Sequence, residues 1–453
     1  MTPRPTTPAP ADHTTRLGTE PVGRLLWRAC TQTTAAVGVY GIYALTNAWF
    51  VGHGVGDTAM AAVNLAAPLL LLLGAVSTTV GAGGASLISR ALGAGDRQAA
   101  ARAAGNSFTL FWSCAAATTV LGLTFLDPLL ALLGAHGELR DSARPYAVVL
   151  LCGALVSTGF SSLVRAEGRM GYSTLLWLVP VAVQITLDPL LIFGLGMGVR
   201  GAALGTVGGQ AVSAAMSLWF FFGRSDRPYR VAPRDLLPHG PTLRALLGIG
   251  LPSFLAGTGV TLLAVLVNAT LAATGSAVAL AAYAVCARLQ TFAMMPHTGI
   301  SQGLQPIAGY NTGRGLTSRA LRARNLALLA SLLYGLLTAA VLALLAEPLA
   351  GLFLHDPAAV TTAGRALRII ALGLTVAGIG PLVAAYSQSL GRPAPAYLMS
   401  IGTLLLVKVP LIVALGRLGT GGVWAGLATG ELATAAVALV LLRRLSPPTP
   451  TAP

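Results

Sequence analysis

Four charged side chains stand inside long apolar runs: Asp188 in ITLDPLLIFGLG, Lys408 in TLLLVKVPLIV, Glu431 in ATGELATA and Arg288 in AVCARLQTF. A charge at mid-membrane costs at least about 2.5–3.5 kcal/mol, which makes each a candidate for function. A carboxylate in a water-poor cavity can hold a proton in one state and trade it for another cation in the next. Asp188 is followed directly by Pro189, so the competing reading is a carboxylate that caps a helix break or bonds to a neighbouring helix. Gln184 lies one helical turn earlier on the same face, within reach of that carboxylate or of a substrate. Lys408 is the only lysine of the chain. An ion pair between Lys408 and Glu431 would lower the cost of both charges; alternatively Lys408 faces a cleft and responds to substrate charge. Arg288, in another apolar run, is expected to bond to backbone carbonyls or to Glu431. Most of the other acids, of fourteen in all, fall at run ends or in the gaps.

Tyr283, Gln290, Phe292, Met294 and Met295 recur along one run, where methionine repacks easily around varied ligands. Core packing competes with that reading at every one of these positions. Ser161 is a further cavity candidate.

The elements that must position these residues follow from composition. Of 453 residues 55% are hydrophobic and only 9% charged, with a mean hydropathy of +0.74; soluble chains carry roughly 25% charged residues. Such a chain cannot cover its own surface with polar groups, so its solvent is lipid. The net charge of +15 is spread through short gaps between apolar runs, which argues against nucleic-acid binding. Runs long enough to span a bilayer occur near 27–51, 60–84, 106–133, 145–165, 174–194 and 201–223, then 245–272, 280–303, 326–353, 365–389, 397–415 and 422–442. Most arginines fall in alternate gaps and in the tails, which puts both termini in the cytoplasm. The gap after Gly223 holds Pro228, Pro233, Pro238 and Pro241 and reads as a linker.

The two halves repeat at an offset of about 220 residues. Asp127-Pro128-Leu129-Leu130 answers Glu347-Pro348-Leu349-Ala350, Gly168-Arg169 answers Gly391-Arg392, Pro189-Leu190-Leu191-Ile192 answers Pro410-Leu411-Ile412-Val413, and Gly201 answers Gly422. The expected fold is an all-α integral membrane protein: twelve transmembrane helices in two six-helix lobes, related by a pseudo-twofold axis along the membrane normal. The divisions are a disordered cytoplasmic tail (1–24), an N-terminal lobe (25–223), a cytoplasmic linker (224–244), a C-terminal lobe (245–442) and a second tail (443–453). Cys30, Cys114, Cys152 and Cys286 form no CxxC pair and read as small core hydrophobes, with neither disulfides nor a metal implied. No GxxxxGK[ST] loop occurs, so this chain does not itself use ATP.

Four stretches carry a family resemblance: FVGHGVGDTAMAAVNLAAP (50–68), SLISRALGAGDRQAA (86–100), ITLDPLLIFGLGMGVRGAALGT (185–206) and GISQGLQPIAGYNTGRG (299–315). Together they resemble the multidrug and toxic compound extrusion (MATE) family, in its DNA-damage-inducible F-like bacterial branch. The acids that mark vibrio-type norfloxacin exporters in spans seven and ten are absent. The resemblance implies export of organic, often cationic, compounds in exchange for protons or sodium ions, with Asp188 matching the family's cation-site aspartate. Asn47 stands where related branches place a second aspartate, and asparagine cannot take up a proton in this range. Tyr43 and Thr206 match polar positions of the family's first lobe, where interhelical packing bonds compete with a functional role.

The expected activity is therefore an antiporter working by alternating access on small organic, cationic or amphipathic substrates. It would need no cofactor beyond the coupling ion, H+ or Na+. The expected setting is the bacterial inner membrane, as a monomer in the lipid bilayer. Two alternatives compete. One is a lipid-linked oligosaccharide flippase, which would show more cationic residues in its cleft. The other is a membrane enzyme such as a prenyltransferase, for which no aspartate-rich metal pair or HExxH motif is present.

Overall fold

The structure, a computed structural model, describes residues 13–55, 57–156, 160–273 and 276–445; some side chains within 40–72 lie outside that description. After a short α1 (His13–Thr19), the first lobe crosses six times. Its crossings are α2 (Val22–Gly54), α3 (Asp57–Gly93), α4 (Arg97–Thr124) with α5 (Leu126–Leu132), α6 (Glu138–Gly153) with α7 (Ser161–Ala166), α8 (Met170–Pro189) and α9 (Gly198–Leu218). The second lobe repeats the plan. It comprises α10 (Gly240–Ala273), α11 (Ala277–Gly313), α12 (Thr317–Leu344) with α13 (Ala346–Gly351), α14 (Pro357–Leu374) with α15 (Ile379–Ser389), α16 (Pro393–Tyr397) running on to α17 (Val409–Gly416), and α18 (Thr420–Leu445). Among the described residues, nine of these runs are long and apolar enough to cross a membrane. The twelve-helix, two-lobe architecture read from the sequence is the one the chain adopts.

The internal repeat has a physical basis at each matched pair. Gly201 and Gly422 open the last crossing of their lobes, and a side chain at either would collide with the backbone of the preceding crossing, at Leu191 and Leu415 respectively. Asp127 and Glu347 both end up in ion pairs: Asp127 with Arg140 (3.0 Å) and Arg144 (3.3 Å), Glu347 with Arg368 (3.0 Å). Two carboxylates thereby offset two of the three arginine charges at these sites on the arginine-poor face, which strengthens the charge contrast between the two faces.

Packing differs sharply between the two ends of the bundle. At the arginine-rich end one core runs through both lobes, joining Leu26, Ile88 and Phe108 to Leu304, Ile307 and Tyr386. Leu17 of α1 and Leu445 of α18 belong to it too, so both described chain ends lie on this face. Backbones touch here: side chains at Gly93 or Gly313 would strike the carbonyls of Tyr310 or Arg90. Hydrogen bonds across the seam include Ser86 Oγ to Gln388 O (2.6 Å), Arg165 Nη2 to Gln302 Oε1 (2.9 Å) and Gln305 Nε2 to Ala82 O (3.3 Å). At the opposite end each lobe has cores of its own. Val51, Tyr146 and Ile192, with a neighbouring group around Leu130 and Leu151, belong to the first. Val267, Leu271, Tyr283 and Trp424 belong to the second. The molecule is closed at its arginine-rich face and parted toward the other.

One expectation is corrected at the closed face. Residues 13–24 are not part of a disordered tail: α1 and the start of α2 are ordered, and Thr14 and Leu17 are buried. Asn311 donates to Leu17 O (2.9 Å), Arg319 to Glu20 O (2.6 Å) and Thr14 to Glu167 O (3.3 Å), so α1 bridges the lobes. Residues 1–12 and 446–453 lie outside the described residues. The linker, for its part, is a fitted strap. Arg227 pairs with Glu167, both side chains fully buried, and its guanidinium lies over the rings of Phe221 (4.4 Å) and Tyr229 (4.5 Å). Hydrogen bonds from Arg224 and then Arg169 hold the Asp226 carboxyl down to about 2. Further along, Asn106 donates to Asp235 O (3.1 Å) and accepts from the His239 amide (2.8 Å).

Candidate functional site

Asp188 occupies the last turn of α8. Pro189 has no N–H to continue the helical ladder, and the chain passes into a wide π-type turn, Leu190–Gly194, closed by Leu195 N–H donating to Leu190 O (2.9 Å). Such turns are frequent at functional positions because they free backbone groups and re-aim side chains. The carboxylate is 1% exposed, wedged against Gly205 of α9, where any side chain would collide with its Oδ1. That Oδ1 has no hydrogen-bond partner among the described residues. A buried acceptor without a donor is costly in a protein interior and costlier in a membrane, unless a proton or a cation completes it.

Gln184 and Thr206, both named from sequence, join beside it. Gln184 Nε2 donates to Thr206 Oγ1 (2.8 Å), and Thr206 donates to Ala202 O (3.1 Å). Both are buried, and the bond that Gln184 makes is to Thr206 of α9, with Asp188 one helical turn further along α8. Asn47 is half-buried on α2. Helices α2 and α8 run in the same direction and meet one turn further on, where Val51 shares a core with Ile192 and Phe50 lies edge-on to Phe193 (6.4 Å). Asn47 and Asp188 are each one turn before that contact, which sets them at the same level of the lobe. Tyr43 is on α2, with its side chain outside the described residues.

The second lobe answers differently at the matching place. Lys408 Nζ donates to Glu431 Oε1 at 2.6 Å, with the two side chains 19% and 16% exposed. The pair stands at the end of a π-type turn, Leu404–Lys408, which precedes Pro410, whereas the first lobe's wide turn follows Pro189; the proline is kept, while the turn and the charge differ. Arg288 is not drawn into this pair; it is exposed on α11, with neither a carboxylate nor a backbone carbonyl as partner among the described residues.

Three further candidates serve packing. Tyr283 is stacked on Trp424 (6.2 Å) within the second lobe's own core, and Met294 packs against that core. Ser161 accepts from Trp177 Nε1 (3.0 Å) through its hydroxyl and from Ser173 through its carbonyl (2.9 Å), which ties α7 to α8 at the closed end, away from Asp188. Gln290 is half-buried. Phe292 is exposed, and Met295 touches Gly41 across the seam, so this level of α11 borders the space between the lobes. Sequence reasoning missed His297, buried on α11 with Nδ1 2.8 Å from Ser331 Oγ and its ring edge-on to Tyr334 (4.9 Å). A histidine within an apolar run was the signal available. Among the described residues no cluster of three or more His, Cys, Asp or Glu gathers to hold a metal ion.

Comparison with known proteins places this geometry. The family model MatE matches residues 36–190 and 252–413, one stretch in each lobe. "Multidrug export protein MepA" of Staphylococcus aureus (strain NCTC 8325 / PS 47) is 29% identical over 413 residues, 89% of this chain and 90% of that protein. The protein of the same description from Staphylococcus haemolyticus (strain JCSC1435) is 28% identical over 396 residues, 84% and 85% of the two chains. Among solved structures, one described as the outward-facing conformation of a multidrug resistance MATE family transporter of the MOP superfamily superposes with a TM-score of 0.89 at 25% identity, covering 95% of this chain and 97% of that one. A MOP superfamily transporter from Pyrococcus furiosus, described as having a binding pocket of reverse polarity, superposes with a TM-score of 0.88 at 25% identity, covering 97% and 98%.

Proposed function

The chain belongs to the MatE family of multidrug efflux transporters, and on that premise we propose that it exports small organic, cationic or amphipathic compounds in exchange for protons bound at Asp188. Family membership disposes of the prenyltransferase alternative and leaves the flippase disfavoured. The observation that carries the coupling is the buried Asp188 carboxylate with its unpartnered Oδ1. Two features favour a proton over a sodium ion. The carboxylate is packed tightly against Gly205, and the nearest named polar groups, Gln184 and Thr206, are already bonded to each other. A proton needs one oxygen, whereas a metal ion needs a ring of them.

The cycle follows from the two ends of the bundle. The sealed arginine-rich face is the cytoplasmic one by the positive-inside rule, and the parted face opens to the outside. A proton arriving through the open cleft neutralises Asp188 and removes the charge that holds a cationic substrate in the first lobe. Release of the substrate then lets the lobes rock, breaking the shared core at the cytoplasmic face and closing the outer one. The pair Lys408–Glu431 presents no net charge to the substrate in either state. The protein works as a monomer in a bacterial inner membrane, both termini in the cytoplasm.

Transport into or out of reconstituted vesicles tests this reading, with a proton or a sodium gradient imposed separately. Wild type is expected to move a fluorescent organic cation uphill under the proton gradient alone. Asp188→Asn keeps shape and hydrogen bonding but takes up no proton, and is expected to lose uphill transport. Equal uphill export by that variant would overturn the mechanism, and drive by sodium alone would overturn the choice of ion.

A further inference from the structure

A cavity of about 320 Å³ opens at the arginine-rich face between α1, the start of α2 and the start of α8. It plays no part in the coupling just described. Arg16, Arg28, Arg169 and Arg224 line it, against the single acid Glu20. Two of these arginines share one carboxylate behind the wall: Arg169 reaches Asp226 at 3.1 Å and Arg224 reaches it at 2.7 Å. Arg16 stands 3.9 Å from Glu20, a loose contact, and Arg28 has no ion-pair partner among the described residues. Positive charge therefore exceeds negative around a hollow large enough for a small polar group.

The setting identifies the ligand's chemistry. Trp27, 72% exposed, directly precedes the lining residue Arg28 where one apolar run begins, and Trp219, 56% exposed, follows α9 near the end of another. Arg224 lies over the Trp219 ring (5.5 Å), and Tyr172, another lining residue, lies beside the same ring (6.2 Å). Exposed tryptophans at a span's end mark the headgroup level of a bilayer, and a basic pocket at that level attracts anionic headgroups. Guanidinium groups bind phosphate oxygens in pairs.

We infer that this cavity binds a phosphate ester of glycerol, the headgroup of an anionic phospholipid such as phosphatidylglycerol or its water-soluble counterpart. Bound there, it bridges α1 to α2 and α8. Because α1 also holds Leu17 and Glu20 against α11 and α12, the ligand braces the closed face.

Thermal unfolding of the purified full chain tests the inference without any transport measurement. The probes are mixed micelles carrying phosphatidylglycerol or phosphatidylcholine, and glycerol 3-phosphate in neutral detergent alone. Phosphatidylglycerol is expected to raise the wild-type midpoint by about 2 °C or more over phosphatidylcholine. The gain is expected to vanish in Arg16→Ala/Arg28→Ala, two partly or fully exposed positions where the fold tolerates change, and to persist in Arg97→Ala, an exposed arginine elsewhere on the same face. An equal gain from glycerol 3-phosphate alone would make the ligand a soluble phosphate at the same site. No gain in wild type, a gain that survives the double substitution, or one lost equally in Arg97→Ala would overturn the site.

Discussion

The two lobes share a backbone plan and divide their charges unequally. In the first, a carboxylate is buried beside neutral partners, with one oxygen unpartnered. In the second, near the matching proline Pro410, a carboxylate is closed by a lysine at 2.6 Å. Duplication supplies two equivalent frames, but only one needs an exchangeable ion. A neutralised copy keeps the helix geometry and takes no part in proton traffic. The comparison makes the first lobe the engine and the second the counterweight, and each prediction below tries to break or refine that division.

The largest effect is expected at Asp188 itself. Asp188→Asn should reduce uphill export at least about a hundredfold, toward passive leak, since a hundredfold change in rate corresponds to only about 2.7 kcal/mol, with the folded yield unchanged. Gly205→Ala comes next. The added methyl collides with Asp188 Oδ1, so the carboxylate must swing away while the chemistry stays intact. Uphill export should fall several-fold, and downhill binding of the organic cation should fall less. If the methyl is silent, the close fit at Asp188 is not part of the mechanism.

The second lobe should respond in stability rather than in coupling. Lys408→Met strands Glu431 and should cost about 3 kcal/mol, at the lower end for a broken buried pair because both groups are partly exposed. Lys408→Met/Glu431→Gln should recover most of the lost thermal stability, and both variants should still couple export to a proton gradient. Loss of coupling in the double variant would put the second lobe back into proton traffic and end the asymmetry.

The frame was legible in the sequence because lipid as a solvent leaves few options. Apolar length gives crossings, arginine placement gives a face, and the matched Gly201/Gly422 and Asp127/Glu347 give the repeat. Asp188 was legible because a charge in an apolar run is expensive enough to stand out, Gln184 by its helical spacing from it, and Thr206 only through the family resemblance. What failed depended on tertiary placement. Proline-rich and polar composition suggested that the whole of 1–24 is a disordered tail, but α1 is ordered by partners distant in sequence, Asn311 and Arg319, and composition likewise does not show how Glu167 seats the linker through Arg227. Tyr283 and Ser161 have the right chemistry for a cavity yet are consumed by neighbours, Trp424 and Trp177, that no local pattern reveals.

The finest test concerns where in the first lobe the acid must be. Asn47 and Asp188 lie at one level on parallel helices, each a turn before the Val51–Ile192 contact. If coupling needs a carboxylate in this lobe rather than on α8 in particular, Asn47→Asp in the Asp188→Asn background should restore part of the lost uphill export, about a tenth of wild type, an order of magnitude being what a displaced ion site forfeits for each 1.4 kcal/mol. The mirror experiment, Val409→Asp with Lys408→Met in the same background, places an acid at the repeat position of the second lobe and should restore none. Rescue by the second-lobe acid would show that the frames are interchangeable, and that the present asymmetry records only which copy kept its carboxylate unpaired.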